Sequence, residues 1–224
     1  MSSENKTAKV ELRWVKPARQ DRSRDTHDRL IEAAERLLAR DRSWDDITVA
    51  ELVKEAGASV GAFYNRFRDK DALLHVLQIE LYKQGEATAA SAQLLGASEF
   101  VALSALIRAF VTLAVTAYRQ QHGLRRALLV QMASDKQFRD RSIELSRLTC
   151  EGLTGVMQAR YPTLDRAALR TAIDVAHRMV YGVLDQNLMY GDAPTDHVLA
   201  DSTLVEQLTL AVELYLEHEL GPAS

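Results

Sequence analysis

Residues 47–74 read ITVAELVKEAGASVGAFYNRFRDKDALL. Thr48-Val49-Ala50-Glu51 has the S/T-x-x-E form, in which a hydroxyl and a carboxylate satisfy the free amides of a helix's first turn. Val49, Leu52, Val53 and Ala56 then give a short helix one buried side, and Gly57 ends it where a positive φ is easily accommodated. After a brief turn, Ser59 can cap another helix. The spacing predicts this second short helix over 60–67, and Asp69 as the cap of a longer one starting at Lys70. Two short helices joined by GAS form a helix-turn-helix arrangement.

Upstream, Leu30, Ile31, Ala34, Leu37 and Leu38 fall at i, i+1, i+4, i+7 and i+8, one face of a helix over 26–40. Trp44 and Ile47 are placed to close over that face. Downstream, Leu73, Leu74, Leu77 and Leu81 carry a helix over 71–85, which links the head to the body. Further helices are expected at 98–118, 124–132, 135–160, 164–190 and 203–220. The last would open on a second capping box, Thr203 to Glu206, and stop at Gly221-Pro222. Only four prolines and ten glycines interrupt 224 residues, so an all-α fold is expected.

Composition bounds what such a chain can do. It is 47% hydrophobic and 26% charged, enough for a buried core in one or two domains. The polar start, residues 1–6, is unlike a signal sequence, and the most apolar run, 100–115, contains Arg108 and is too short for a bilayer, which takes about 20 residues. A cytoplasmic protein with no membrane partner is therefore expected. The single cysteine, Cys150, reads as a small buried residue rather than a metal ligand. The sequence offers no nucleophile elbow, phosphate-cradling loop, metal-ligand spacing or paired carboxylates at a glycine-rich turn, which argues against an enzyme and against a cofactor. The net charge of −3 is uneven, because residues 1–70 hold 15 Lys and Arg against 13 Asp and Glu. Lys6, Lys9, Arg13, Lys16, Arg19, Arg22 and Arg24 make the first residues basic.

Thr48, Ala56-Gly57, Ser59, Gly61, Tyr64, Phe67, Lys70 and Leu73-Leu74 are spaced as in the DNA-binding signature of the TetR family of bacterial transcriptional regulators, which residues 24–74 resemble. The resemblance implies an N-terminal three-helix helix-turn-helix DNA-binding domain followed by a larger helical ligand-binding and dimerisation domain, about nine helices in all. The corresponding divisions are a basic arm at 1–23, the DNA-binding domain at 24–70 and the body at 71–224. It also implies a homodimer on a palindromic double-stranded operator, most often a repressor released by a small apolar or amphipathic effector. The alternative is a regulator controlled by a partner, or by nothing bound, without a metabolite pocket.

The residues of the head divide by chemistry. A helix entering the major groove needs small residues at its leading end, which Gly61 and Ala62 supply; glycine inside a helix otherwise costs about 1 kcal/mol. Phe63 and Phe67, four apart, read as core anchors against Leu37 and Leu52, while Tyr64 lies off that face and suits a phosphate and its sugar. A buried tyrosine with an internal partner is the competing reading. Thr48 and Lys70 are expected to meet phosphates at helix starts, and Ser59, the cap between them, is counted with them among the DNA-binding residues. Val60, Gly61, Ala62 and Asn65 are expected to read bases, and Arg66, where the family often has histidine, to reach phosphate or guanine. Arg22 and Arg24 could enter the minor groove.

The body carries no such motif. A cavity there would be lined by Phe100, Phe110, Tyr118, Met132, Phe138, Met157, His177, Tyr181 and Gln186, residues that an ordinary core explains as well. His177, Tyr181 and Asp185 share one helical stripe, which fits a hydrogen-bonded core trio or a ligand-orienting set. Ala172, Ala176 and Gly182 would allow close helix approach in a dimer or within the chain.

Overall fold

A computed structural model describes residues 21–96 and 102–221, and among these it forms nine helices and no strand. They are α1 (Asp21–Leu38), α2 (Val49–Glu55), α3 (Val60–Tyr64), α4 (Lys70–Gly96), α5 (Leu103–Gln120), α6 (His122–Ser134), α7 (Lys136–Arg160), α8 (Arg166–Tyr190) and α9 (Asp201–Leu220). Arg22 and Arg24, as side chains, and Ser98, Phe100 and Pro222 lie outside the described residues. The chain divides into two compact units between Leu77 and Gln78, and α4 runs through the division. Among the described residues no helix is long and apolar enough to cross a membrane.

The first unit is built on large side chains from every element. Leu30, Leu38, Trp44, Ile47, Leu52, Phe63, Phe67, Leu73, Leu74 and Leu77 are all essentially covered. Each such side chain contributes about 1.5–3 kcal/mol over leaving it in water. α2 is capped as expected: Glu51 N donates to Thr48 Oγ1 at 3.2 Å, and Thr48 N donates to Glu51 Oε2 at 2.9 Å. Gly57 follows at φ +58°, the left-handed conformation that the turn requires.

Several boundaries differ from expectation: α1 starts at Asp21, five residues before the expected 26, and three further differences have visible causes or consequences. α3 ends at Tyr64 rather than 67, because Arg66 N turns back to Phe63 O at 2.8 Å in a tighter bond. That turn buries Phe67 and frees Asp69 to cap α4, where Ala72 N donates to Asp69 Oδ1 at 2.8 Å. α4 continues to Gly96 rather than ending near Gly85. α9 starts at Asp201, so Thr203 and Glu206 lie inside the helix instead of forming its capping box. At that earlier start, Arg119 Nε donates to Asp201 Oδ1 at 2.8 Å.

In the second unit α8 packs against both α7 and α9, and α5 packs against α9. Ile107 and Val111 of α5, Met157 of α7, Ile173, Val180 and Leu184 of α8, and Leu208, Val212 and Leu216 of α9 form one core. Ala172 and Ala176 belong to this core, whereas Gly182 is exposed. Asp165 caps α8 through Ala168 N at 3.0 Å, and Gly191 and Gly221, at φ +83° and +73°, end α8 and α9.

Candidate nucleic-acid interface

Five residues of α3 separate an inward face from an outward one. Phe63 is fully covered and meets Phe67 with ring centroids 5.5 Å apart, and Phe67 in turn stacks on His27 at 5.4 Å. Val60 is 48% and Tyr64 51% exposed, and Gly61 and Asn65 are exposed beside them. The Tyr64 ring stands edge-on to Phe63 at 87°, so the buried ring sets the direction of the exposed one. Ser59 Oγ accepts from Ala62 N at 3.1 Å, which makes Ser59 the cap of α3, and Ala62 is half-buried. A Cβ on Gly61 would meet only Ser59 Oγ at 3.9 Å, an ordinary contact.

Three of the expected contacts sit differently. Lys70 does not project as a clamp: its ammonium donates to Trp44 O at 2.6 Å, Asp45 O at 3.0 Å and Ile47 O at 3.1 Å. Arg66, in the turn after α3, is only 6% exposed, unlike Val60 and Tyr64. Thr48 is exposed, but its hydroxyl proton goes to Glu51 Oε2 at 3.0 Å. Glu51 also accepts from Arg42 Nη1 at 2.6 Å; with Thr48's two donors, this holds its carboxyl down to about 2.

Sequence reading passed over Arg29. From α1 its Nη1 donates to Ala56 O at 3.3 Å and Gly57 O at 3.2 Å, the last carbonyls before the turn into α3. Its place on α1 one residue before Leu30, and so beside the buried face, is the signal that could have marked it.

In the second unit the expected lining residues fall into separate groups. Phe110, Tyr118, His177 and Tyr181 pack on one another, with His177 stacked on Tyr181 at 4.3 Å and Tyr118 and Phe110 at 5.8 and 6.2 Å from the same ring. Tyr118 donates to Asp185 Oδ1 at 2.8 Å, and the Arg125 guanidinium lies 4.5 Å over the Tyr118 ring. Burial, opposed by the nearby Asp174, lowers the His177 pKa to about 4. Burial likewise raises the Asp185 carboxyl. Met157 is in the main core, Phe138 is buried with its carbonyl accepting from Gln78 Nε2 at 2.9 Å, and Met132 is half-buried. An open groove of about 660 Å³ lies between α6 and α8, walled by Leu129, Val130, Val183 and Met189. Of the expected lining residues that are described, Gln186 alone borders it, beside Asp185.

The sequence matches the family described as "Bacterial regulatory proteins, tetR family" over residues 30–77, and "Tetracyclin repressor-like, C-terminal domain" over residues 102–216. No curated protein matches the chain. Among solved structures, one from Mesorhizobium loti MAFF303099 named for the TetR family of transcriptional regulators is similar, with a TM-score of 0.65 and 17% identity, over 89% of this chain and 98% of that one. A regulatory protein in the TetR family from Rhodococcus RHA1 is similar at a TM-score of 0.60 and 18% identity, over 89% and 98%. A transcriptional regulator of the TerR/AcrR family from Aquifex aeolicus VF5 is similar at 0.58 and 17%, over 84% and 98%. At these identities the likeness is one of fold.

Proposed function

The chain belongs to the TetR family of bacterial transcriptional regulators, DNA-binding proteins rather than enzymes, and on that premise we propose that it is a homodimeric repressor that a small molecule releases from a palindromic operator. The outward face of α3 carries the reading: Val60 and Tyr64 are about half exposed while Phe63 between them is covered. On this reading Val60, Gly61, Ala62 and Asn65 meet base edges, with Val60 against a thymine methyl and Asn65 on an adenine edge. Tyr64 meets a phosphate and its sugar, and the exposed starts of α2 and α3, at Thr48 and Ser59, approach the backbone beside it. A Cβ at position 61 would meet only Ser59 Oγ at 3.9 Å, so the space over Gly61 is open to the close approach that this reading requires.

A second copy would supply the symmetry of the operator, with half-sites about one helical turn, or a multiple of it, apart. Support for a self-association face comes from α9, where Leu210 and Leu214, four residues apart, are 48% and 57% exposed. The apolar groove between α6 and α8 favours an apolar or amphipathic effector. An effector preferring the non-binding arrangement by about 3 kcal/mol lowers operator affinity about a hundredfold.

One observation favours a second reading, regulation without a metabolite pocket: the aromatic residues expected to line a cavity fill their own space. Thermal shift against a metabolite panel separates the two. Reproducible stabilisation by one chemical class, with weaker operator binding in its presence, supports release by ligand; a flat panel together with intact operator binding supports the second reading.

A further inference from the structure

Each end of α2 is held by a cation set among main-chain carbonyls. At the entrance the Lys70 ammonium donates to the carbonyls of Trp44, Asp45 and Ile47, at 2.6, 3.0 and 3.1 Å. An ammonium has three protons and no acceptor, so these three bonds use all of them and leave none for a phosphate oxygen. The same loop is tied to the same turn of α4 a second time, by Trp44 Nε1 donating to Asp71 Oδ1 at 3.0 Å. At the exit, Arg29 Nη1 donates to the carbonyls of Ala56 and Gly57. A Cβ on Gly57 would lie 3.7 Å from that nitrogen, so the guanidinium lies directly against the turn. A cation there also meets the negative end of α2.

These clamps matter because α2 has only seven residues, of which Leu52 and Val53 are buried, and a helix that short does not hold its place on its own. Its two ends carry what the interface uses. Thr48 comes directly after the loop that Lys70 holds, and Ser59 comes after the turn that Arg29 holds.

We propose that Lys70 and Arg29 are positioning residues for DNA reading: by caging the carbonyls at the two ends of α2 they set the outward face of α3 against the start of α2, and Lys70 does so in place of a phosphate contact. This rests on the assignment of that face to DNA. The two roles of Lys70 separate by salt dependence. A lysine on phosphate contributes about 0.9 to the slope of log affinity against log salt, and its loss weakens binding to all sequences alike. A lysine that places the reading face affects the operator and spares unrelated DNA.

The test uses the full-length chain, an operator selected from random DNA and an unrelated duplex, with both affinities measured across a salt series. For Lys70→Met and Arg29→Met the expected result is a loss of about tenfold or more in operator affinity, with the salt slope and the affinity for unrelated DNA those of the parent. Lys70→Gln, whose amide can serve two of the carbonyls without charge, should recover part of the operator affinity at the parental slope, and Arg29→Lys should recover part of the loss at the other end. If Lys70→Met does not fold, Lys70→Gln alone decides: a slope reduced by about one, with both affinities falling together, overturns the proposal in favour of a phosphate contact. Parental affinity in a folded Lys70→Met or Arg29→Met also overturns it. Tyr64→Ala is run alongside: if that variant binds both duplexes like the parent, the assignment of α3 to DNA fails, and this failure is distinct from either outcome for Lys70.

Discussion

Tyr64, Asn65 and His177 each lead to a measurement on one side chain. Tyr64→Ala should weaken binding to every sequence, since its ring and hydroxyl serve backbone contact, and fluorescence anisotropy on operator and unrelated duplexes reads this directly. Asn65→Ala should cost about 1–3 kcal/mol, confined to one base pair of each half-site, as a panel of single-base operator variants would show. His177, buried against Tyr181, should titrate near 4 by NMR. That value sets the direction of its pH dependence: a histidine whose folded pKa lies below its usual 6.5 contributes fully above 6.5, and its share is lost as pH falls towards 4. What spacing reveals at this scale is direction. Phe63 and Phe67 are both inward and Tyr64 is outside, although Phe67 reaches the core from the turn after α3 rather than from the helix itself. Spacing does not reveal a partner far along the chain. The carbonyls that hold Lys70 lie 23 to 26 residues before it, in a loop with no periodicity, so a lysine at a helix start read as a phosphate clamp.

The behaviour of α2 depends on its two ends. Glu51 closes the capping box and pairs with Arg42, and its carboxyl lies at about 2 instead of 4.5. A lowered carboxyl stabilises above its unfolded value and stops doing so as pH falls through the folded one. The first unit should therefore lose stability between about pH 4.5 and 2, with Glu51→Gln flattening that part of the acid-unfolding profile. At the other end, Gly57→Ala places a side chain at φ +58° and should cost about 1–2 kcal/mol in chemical denaturation of this unit. Both ends were legible, because capping chemistry and positive φ are written in a few adjacent residues. The length of α3 and the start of α9 were not. α3 stops early at the turn in which Arg66 N bonds back to Phe63 O, and α9 starts early at Asp201, which Arg119 of α5 contacts. A local turn overrode the helical signal at the end of α3, and a bond from α5 meets the start of α9.

The head carries capping and ion pairs around a buried core, and the body's core is mainly aliphatic, with Phe110, Tyr118 and Tyr181 packed against it. Helical periodicity announced the body's helices but not its cavity, since aromatics that line a pocket and aromatics that fill a core share one pattern. Here Phe110, Tyr118, His177 and Tyr181 fill space, and the groove lies beside Gln186. At this scale the proposed dimer is tested by Leu214→Glu, which should shift sedimentation towards the single chain and weaken operator binding with it, because two half-sites then have to be bound separately. The central claim, a sequence-specific DNA reader acting through the face of α3, is tested most directly by selecting the full-length chain and Tyr64→Ala on a random DNA pool at physiological salt. Enrichment of an inverted repeat by the parent and its loss in the variant is the predicted result; no enriched sequence, or the same repeat enriched equally by both, would contradict it.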